Sequence, residues 1–89
     1  MKEKNSVGIV KSKKFICKNP LKLNSGILLK EFELTYETYG KLNAKRDNAV
    51  LVCHALSGNH HLAGRYSSSD KYPGWWDSLI GQNKQLDTN

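Results

Sequence analysis

The side chains best suited to chemistry lie close together between positions 53 and 61. Cys53 and His54 are adjacent, Ser57 follows, and His60 and His61 form a pair. A thiol or hydroxyl beside a histidine is the arrangement used in nucleophilic catalysis, and cysteine with histidine is a common ligand set for Zn²⁺. The segment therefore raises two chemical interpretations, a catalytic nucleophile and a metal site.

Neither interpretation fits the spacing. Cys53 ends an apolar stretch, and no pair of these residues has the short-loop spacing of a zinc knuckle. Ser57 lies in Leu56-Ser57-Gly58, which lacks the G-x-S-x-G pattern of a nucleophile elbow. A histidine that follows a strand more often hydrogen-bonds backbone and orients a loop than acts as a base. We therefore predict no metal site, no nucleophile in this segment, and a structural role for His54.

The stretch before this segment has the pattern of an interior strand. Residues 49–53 (AVLVC) are continuously apolar and rich in β-branched side chains, which is typical of a parallel strand covered on both faces. Residues 54–58 (HALSG) then form a loop of small residues at its carboxyl end. Ligands bind at that edge of open α/β sheets, so the sequence places a candidate site there.

Antiparallel strands are predicted before residue 40. Residues 14–17 and 21–23 flank Pro20 and indicate a short or interrupted strand, and Asn24-Ser25-Gly26 supplies a turn. A period-two pattern follows, with Phe32, Leu34 and Tyr36 on one face and Glu31, Glu33, Thr35 and Glu37 on the other. This alternation predicts a hairpin strand with a packed apolar face and a solvent-exposed acidic face.

After the loop, residues 59–72 contain Gly64, three serines and two histidines, and we predict an exposed, irregular segment. Trp75, Trp76, Leu79 and Ile80 then recur with the spacing of one helical face, and Gly81 is a stop signal. A short helix is predicted there.

The net charge of +6 is concentrated at one end. Residues 1–22 hold seven lysines against one glutamate, and the other 67 residues balance seven bases with seven acids. Without interleaved aromatics, such a segment indicates a solvated terminus rather than nucleic-acid binding. With no signal peptide or membrane span evident, we expect a cytoplasmic protein with no membrane partner, in which Cys17 and Cys53 are buried free thiols.

The chain is too short to complete the fold that its interior strand implies. A strand covered on both faces needs neighbours joined by crossovers of a dozen or more residues, and only one short helix is predicted after residue 53. We therefore expect residues 1–19 to be a basic, poorly ordered terminus and residues 20–89 to be part of a larger α/β domain.

Several blocks of the sequence are similar to the amino-terminal signature of the homoserine O-acetyltransferase family. The matching blocks are residues 36–43 (YETYGKLN), 48–58 (NAVLVCHALSG), 63–64 (AG), 73–77 (PGWWD), 80–84 and 87–88, together with the Ser25-Gly26 turn. The resemblance implies the amino-terminal part of an α/β-hydrolase fold, in which an antiparallel hairpin leads into a central, mainly parallel sheet that is incomplete here.

The resemblance also implies an activity. Family members transfer an acyl group from acetyl-CoA, or succinyl-CoA in some members, to homoserine in methionine biosynthesis, with no bound cofactor or metal and usually as homodimers. A serine, a histidine and an aspartate carry out the chemistry, and in the family all three lie beyond residue 89. The 89 residues alone are expected to fold poorly and to lack this activity.

One functional element can be carried over to this chain. In α/β-hydrolase folds the loop after the third strand supplies one backbone N–H of the oxyanion hole, and the match assigns that role to Leu56. Gln82-Asn83, where many members have Pro-Gly, and Asn59-His60-His61, where an acidic residue with one histidine is common, depart from the family pattern and leave the acyl donor open.

Two alternatives remain at this point. The first is another α/β-hydrolase-fold enzyme such as an esterase, which the YETYG and GWWD blocks disfavour. The second is a basic binding module that acts through residues 1–22, which salt-sensitive binding to a polyanion would reveal.

Overall fold

A computed structural model describes residues 5–89 and contains two small antiparallel sheets. β1 (Lys13–Cys17) pairs with β4 (Phe32–Tyr36), so that Lys13 lies opposite Tyr36 and Cys17 opposite Phe32. Between them in sequence, β2 (Leu21–Lys22) pairs with β3 (Leu28–Leu29). The two pairs form one long hairpin that is interrupted between β1 and β2 near Pro20, because proline cannot donate to a strand ladder.

The predicted turn closes this hairpin. The N–H of Gly26 donates to the carbonyl of Leu23, and the N–H of Leu23 donates to the carbonyl of Ile27, each at 2.9 Å. Gly26 has φ of 90°, a conformation that glycine adopts without a steric penalty. The hairpin, its turn and the strand at residues 32–36 are thus confirmed.

The apolar face of β4 differs from the prediction. Leu34 and Tyr36 are exposed, and Phe32 is only half-buried. Within residues 5–89 no element packs over this face, so the alternation is present without the burial that it predicts. Burial of one sheet face requires a second layer, which local sequence cannot provide.

The interior strand predicted at residues 49–53 is absent from residues 5–89. These residues lie in no strand, Leu51 is 88% exposed, and Cys53 is exposed rather than buried. A parallel strand obtains its backbone hydrogen bonds from neighbouring strands, and no described residue pairs with this stretch. Both thiols are free as predicted, with Cys17 half-buried.

The buried core lies where the sequence predicted an exposed segment. Ala63 is 0% exposed and packs with Leu62 and Ile80, and the partly buried side chains around them are those of Val7, Tyr39, Val52 and Leu86. Glycines make this burial feasible, because the N–H of Gly74 donates to the carbonyl of Gly64 at 2.9 Å and brings the two backbones together. The prediction of irregular structure for residues 59–72 is right, and that of exposure is wrong at its centre.

The predicted helix is reduced to one 3₁₀ turn, Asp77–Leu79. The chain becomes extended at Ile80, which forms a parallel bridge with Leu86, while the Leu86 N–H donates to the carbonyl of Leu79 at 2.8 Å. That carbonyl is therefore used by the following segment instead of a further helical turn. Trp75 and Trp76 remain partly exposed ahead of the turn.

Across residues 5–89, no helix has the length and apolar character needed to cross a bilayer. The predicted terminus at residues 1–19 falls partly outside the described residues. Its second half contains β1, and the boundary at residue 19 stays a prediction.

Candidate active-site loop and its supporting network

The loop that carries the predicted oxyanion donor is a tight turn. The Gly58 N–H donates to the carbonyl of Ala55 at 2.8 Å, which places Leu56 and Ser57 at the two central positions of a β-turn. The Nδ1 atom of His54 lies 2.6 Å from the same carbonyl and must be the donor. This contact confirms that His54 bonds to backbone and orients the loop.

The backbone N–H of Leu56, and not its side chain, is the group that could hydrogen-bond a reacting atom. Its side chain is fully exposed, and its N–H donates to no other residue in 5–89. The turn's own hydrogen bond uses the N–H of Gly58, so the N–H at the second turn position is left available. The assignment of this N–H to an oxyanion hole stays a prediction.

The loop forms one wall of a cleft of about 510 Å³. The cleft is lined by two groups of residues, Cys53, His54, Ala55, Ser57 and Gly58 from the loop and Trp75 and Trp76 from the segment before the 3₁₀ turn. The two indole rings lie 4.9 Å apart at 54° to each other, and the Nε1 of Trp75 donates to the carbonyl of Asn59 at 2.8 Å. The cleft is mainly apolar and open to solvent within the described residues, so its walls are only part of what a small-molecule site requires.

A buried carboxylate just after β4 was not predicted. The side chain of Glu37 is 0% exposed, although its place in the alternating pattern assigned it to the solvent face. The hydroxyls of Tyr39 and Tyr66 donate to its two oxygens, and Nδ1 of His61 lies 3.0 Å from Oε1. The alternation fails here because β4 ends at Tyr36, so the residues beyond it are no longer placed by the strand.

These contacts set the ionisation of the network. Burial is the largest influence on the Glu37 carboxyl and raises its pKa, but the hydrogen bonds from Tyr39, Tyr66 and His61 outweigh it and hold the pKa below the usual 4.5. Burial and the contact with this carboxylate raise the pKa of Tyr39 far above 10. At neutral pH, Glu37 is therefore a charged acceptor and Tyr39 a protonated donor.

The Tyr39 hydroxyl also accepts two hydrogen bonds from the core. The N–H groups of Leu62 and Ala63 lie 3.0 Å and 3.2 Å from its oxygen. With its proton directed at Glu37, the hydroxyl uses both of its acceptor positions on consecutive backbone amides. Glu37 and Tyr39 thus tie the end of the hairpin to the buried segment.

Ser12, His60 and Glu37 meet in space, but not as a catalytic triad. Ser12 Oγ lies 2.7 Å from His60 Nε2, and Glu37 Oε2 lies 3.5 Å from that same nitrogen. A triad requires the nucleophile and the carboxylate on different ring nitrogens, so that one orients the imidazole while the other is deprotonated. Among residues 5–89 no group of three or more His, Cys, Asp or Glu side chains is arranged to hold a metal ion.

A signal for this network exists in the sequence. Glu37 and Tyr39 are separated by two positions, and the adjacent histidines lie in the segment that folds back onto them. An acid with a nearby tyrosine at the end of a strand indicates a buried hydrogen-bond network only when the partner segment is known, and here the partner Leu62 lies 23 positions after Tyr39.

Two proteins of known structure superimpose on most of this chain. The homoserine O-acetyltransferase from Bacillus anthracis superimposes with a TM-score of 0.84 at 46% identity, covering 91% of this chain and 21% of that one. Esterase E22 superimposes with a TM-score of 0.84 at 36% identity, covering 91% of this chain and 22% of that one. These are α/β-hydrolase-fold proteins, and the chain has the structure of a portion of that fold.

The sequence relatives define the family. The homoserine O-succinyltransferase of Neisseria gonorrhoeae (strain ATCC 700825 / FA 1090) is 56% identical over 88 residues, and that of Ectopseudomonas mendocina (strain ymp) is 58% identical over 85 residues. The alignments cover 99% and 96% of this chain but only 23% and 22% of those proteins. No family model matches the chain. The chain belongs to the homoserine O-acyltransferase family and spans less than a quarter of the length of these relatives.

Proposed function

We propose that this chain is the part of a homoserine O-acyltransferase that supplies one donor of the oxyanion hole, the backbone N–H of Leu56. The complete enzyme transfers an acyl group from acyl-CoA to the hydroxyl of homoserine, giving O-acylhomoserine and free CoA for methionine biosynthesis. It acts in the cytoplasm on small-molecule substrates, as a homodimer. The relatives that carry the name homoserine O-succinyltransferase or O-acetyltransferase support the activity.

Two acyl transfers make up the proposed reaction. A serine outside this chain attacks the thioester carbon, the C–S bond breaks, and CoA leaves as the thiol with the proton that the serine gave up to a base. The hydroxyl of homoserine then attacks the acyl-enzyme, and the serine recovers a proton. Each step passes through a tetrahedral oxyanion, and in each the Leu56 N–H donates a hydrogen bond to that oxygen.

The observation that carries this proposal is the unpaired N–H of Leu56 in a turn whose first carbonyl, that of Ala55, accepts two hydrogen bonds. The Ala55–Gly58 hydrogen bond and the His54 contact order the loop before any substrate binds. A donor that is already oriented loses no further freedom when negative charge develops, and this preorganisation is the source of its catalytic value.

The acyl donor within this proposal is acetyl-CoA or succinyl-CoA. The sequence relatives named above are succinyltransferases, whereas the similar solved structure is an acetyltransferase. The loop and tryptophan walls of the cleft contain no lysine or arginine that would bind a succinyl carboxylate. Discrimination between the two donors is therefore assigned to residues outside these walls.

Esterase activity is the second candidate, and the similarity to esterase E22 favours it. That similarity weakens the expectation that the YETYG and GWWD blocks separate transferases from esterases. The two functions use the same oxyanion hole and differ in the acceptor that attacks the acyl-enzyme, homoserine or water. The test must therefore identify whether homoserine or water accepts the acyl group.

The test uses the complete polypeptide that contains this segment. Release of free CoA from acetyl-CoA and from succinyl-CoA is measured with and without homoserine, and the product is identified by mass. Homoserine-dependent CoA release with an O-acylhomoserine product is expected. Equal CoA release without homoserine, or hydrolysis of p-nitrophenyl acetate that homoserine does not divert, would establish the esterase instead. The 89 residues alone are expected to show neither activity.

A further inference from the structure

We infer that Glu37 and Tyr39 are positioning residues that fix the tryptophan wall of the cleft. The hydrogen bonds that connect them to Trp75 and Trp76 are all present in residues 5–89, and they are independent of any assumed activity. Only the role of the cleft as the substrate site rests on the proposed function.

Two consecutive peptide groups carry the connection. The peptide between residues 61 and 62 donates its N–H to the Tyr39 hydroxyl at 3.0 Å and accepts the Trp75 N–H at its carbonyl at 3.1 Å. The next peptide, between residues 62 and 63, donates to the same hydroxyl at 3.2 Å and accepts the Trp76 N–H at 2.8 Å. Each peptide group therefore bridges the Tyr39 oxygen to one tryptophan backbone.

Glu37 determines the direction of the Tyr39 hydroxyl. A phenol has one proton to donate, and the buried carboxylate accepts it, which leaves the oxygen lone pairs for the two N–H groups. Without that acceptor the hydroxyl proton would compete with the N–H groups for the space around the oxygen. Tyr66 and His61 hold the carboxylate in place from its other sides.

The tryptophan side of this connection has no room to shift. A Cβ atom on Gly74 would lie 2.2 Å from the nitrogen of Ala63, so the backbone before Trp75 is in direct contact with the peptides that Tyr39 binds. Displacement of residues 61–63 must therefore move the tryptophan backbone as well. Because Trp75 and Trp76 line the cleft together with residues of the 53–58 loop, the shape of the cleft depends on the Glu37–Tyr39 pair.

The test compares three Tyr→Phe variants of the complete polypeptide. Y39F removes the hydroxyl that binds both amides. Y66F removes the hydroxyl that contacts Glu37, Ser12 and His60 but keeps the ring that stacks on His61, so no hydrogen bond to the amides at 62 and 63 is lost. Y36F removes an exposed hydroxyl on β4 that bonds to nothing in residues 5–89. Hydrogen exchange of the amides at 62, 63, 75 and 76 is followed together with kcat and KM for the acyl donor and for homoserine.

Y39F is expected to speed exchange at these four amides about tenfold, because two hydrogen bonds of ordinary strength are lost. It is expected to raise KM for at least one substrate about fivefold while kcat changes less than twofold, since a displaced wall weakens binding in the ground and transition states alike. Y36F should match the wild type in every measurement, and Y66F should lie between the two.

Exchange in Y39F equal to that in Y36F would overturn the inference. Faster exchange without any change in KM would overturn the assignment of the pair to the substrate wall. If the complete polypeptide transfers no acyl group to homoserine, the proposed function fails, and the exchange measurement together with KM for an ester substrate still decides the positioning role. If Y39F does not fold, E37L carries the test, because leucine has no acceptor for the Tyr39 proton, with faster exchange at the same amides expected and unchanged exchange refuting the inference.

Discussion

Replacement of Leu56 by proline tests the oxyanion assignment directly. A backbone N–H cannot be removed by changing a side chain, but proline lacks it. Proline is favoured at the second position of a β-turn, which is the position of Leu56, and Leu56 is not among the residues with positive φ. L56P should therefore keep the Ala55–Gly58 turn while it removes one donor.

The magnitude follows from what the substitution removes. The Leu56 side chain is fully exposed, so its loss costs little, and the N–H has no partner in residues 5–89 whose loss would destabilise the fold. Loss of one oxyanion donor typically costs about 2.7–4 kcal/mol in the transition state, a decrease of about 10²–10³ in kcat. The free energy of unfolding should change by no more than about 1 kcal/mol.

The assay measures both half-reactions in the complete polypeptide. Acylation is followed as the burst of CoA release and deacylation as the homoserine-dependent steady state, and both should slow in L56P because each passes through an oxyanion. KM should change little, since the hydrogen bond forms in the transition state. L56A is the matched control, because it shortens the side chain and keeps the N–H.

Two results would refute the reasoning. If L56P retains kcat within about threefold of the wild type, the Leu56 N–H is not an oxyanion donor. If L56A loses as much activity as L56P, the side chain and not the amide carries the effect. A measured unfolding free energy close to that of the wild type is required of both variants, so that a loss of activity cannot arise from a loss of folding.

Three further predictions concern the stability of the complete polypeptide in urea. G74A should lower the free energy of unfolding by about 3 kcal/mol, because its new Cβ would overlap backbone, whereas G26A, which meets nothing within 4 Å, should cost about 1 kcal/mol through its φ of 90°. D77A should cost about 1–3 kcal/mol, because the buried N–H of Gly64 donates to Asp77 Oδ1 at 2.8 Å, and D77N should recover most of this loss. Since the pKa of Glu37 is below its usual 4.5, its ionised form stabilises the fold above that pH, and this contribution is lost as pH falls through the lowered pKa, so E37Q should flatten the acid loss of stability.

Each of these predictions has an outcome that contradicts it. Equal destabilisation by G74A and G26A would show that Gly74 makes no close backbone contact in solution. A D77N variant no better than D77A would show that the acceptor oxygen is not what Asp77 contributes. Acid unfolding curves of identical slope in E37Q and the wild type would exclude a lowered pKa at Glu37.

Local chemistry made the hairpin predictable. Asn24-Ser25-Gly26 favours a turn through backbone preferences that need no distant partner, and the alternation at residues 32–36 defines a strand from its own side chains. The interior strand at residues 49–53 was predicted from its composition, yet composition describes the environment that a strand requires and does not provide it. Its hydrogen bonds depend on neighbours that residues 5–89 do not contain.

The loop at residues 54–58 depends on local contacts, whereas the hydrogen-bond network around Glu37 depends on distant ones. His54 lies beside the carbonyl it binds, so its structural role could be predicted from one residue's neighbours. The burial of Glu37 could not, because it depends on His61 and Tyr66, which lie 24 and 29 positions later. Ala63 was missed for a related reason, since a small residue beside glycine favours a loop until the segment that covers it is known.

The exposed run around Val50 and Leu51 has a consequence for aggregation. An apolar, β-branched stretch whose N–H and C=O groups have no partner is a template on which a second chain can add a strand. Lys45 and Arg46 lie a few positions before the run, separated from it by Asp47 and Asn48, and their like charges on two chains repel and act as gatekeepers. Whenever this stretch is uncovered, solubility therefore depends on the few charged side chains that precede it.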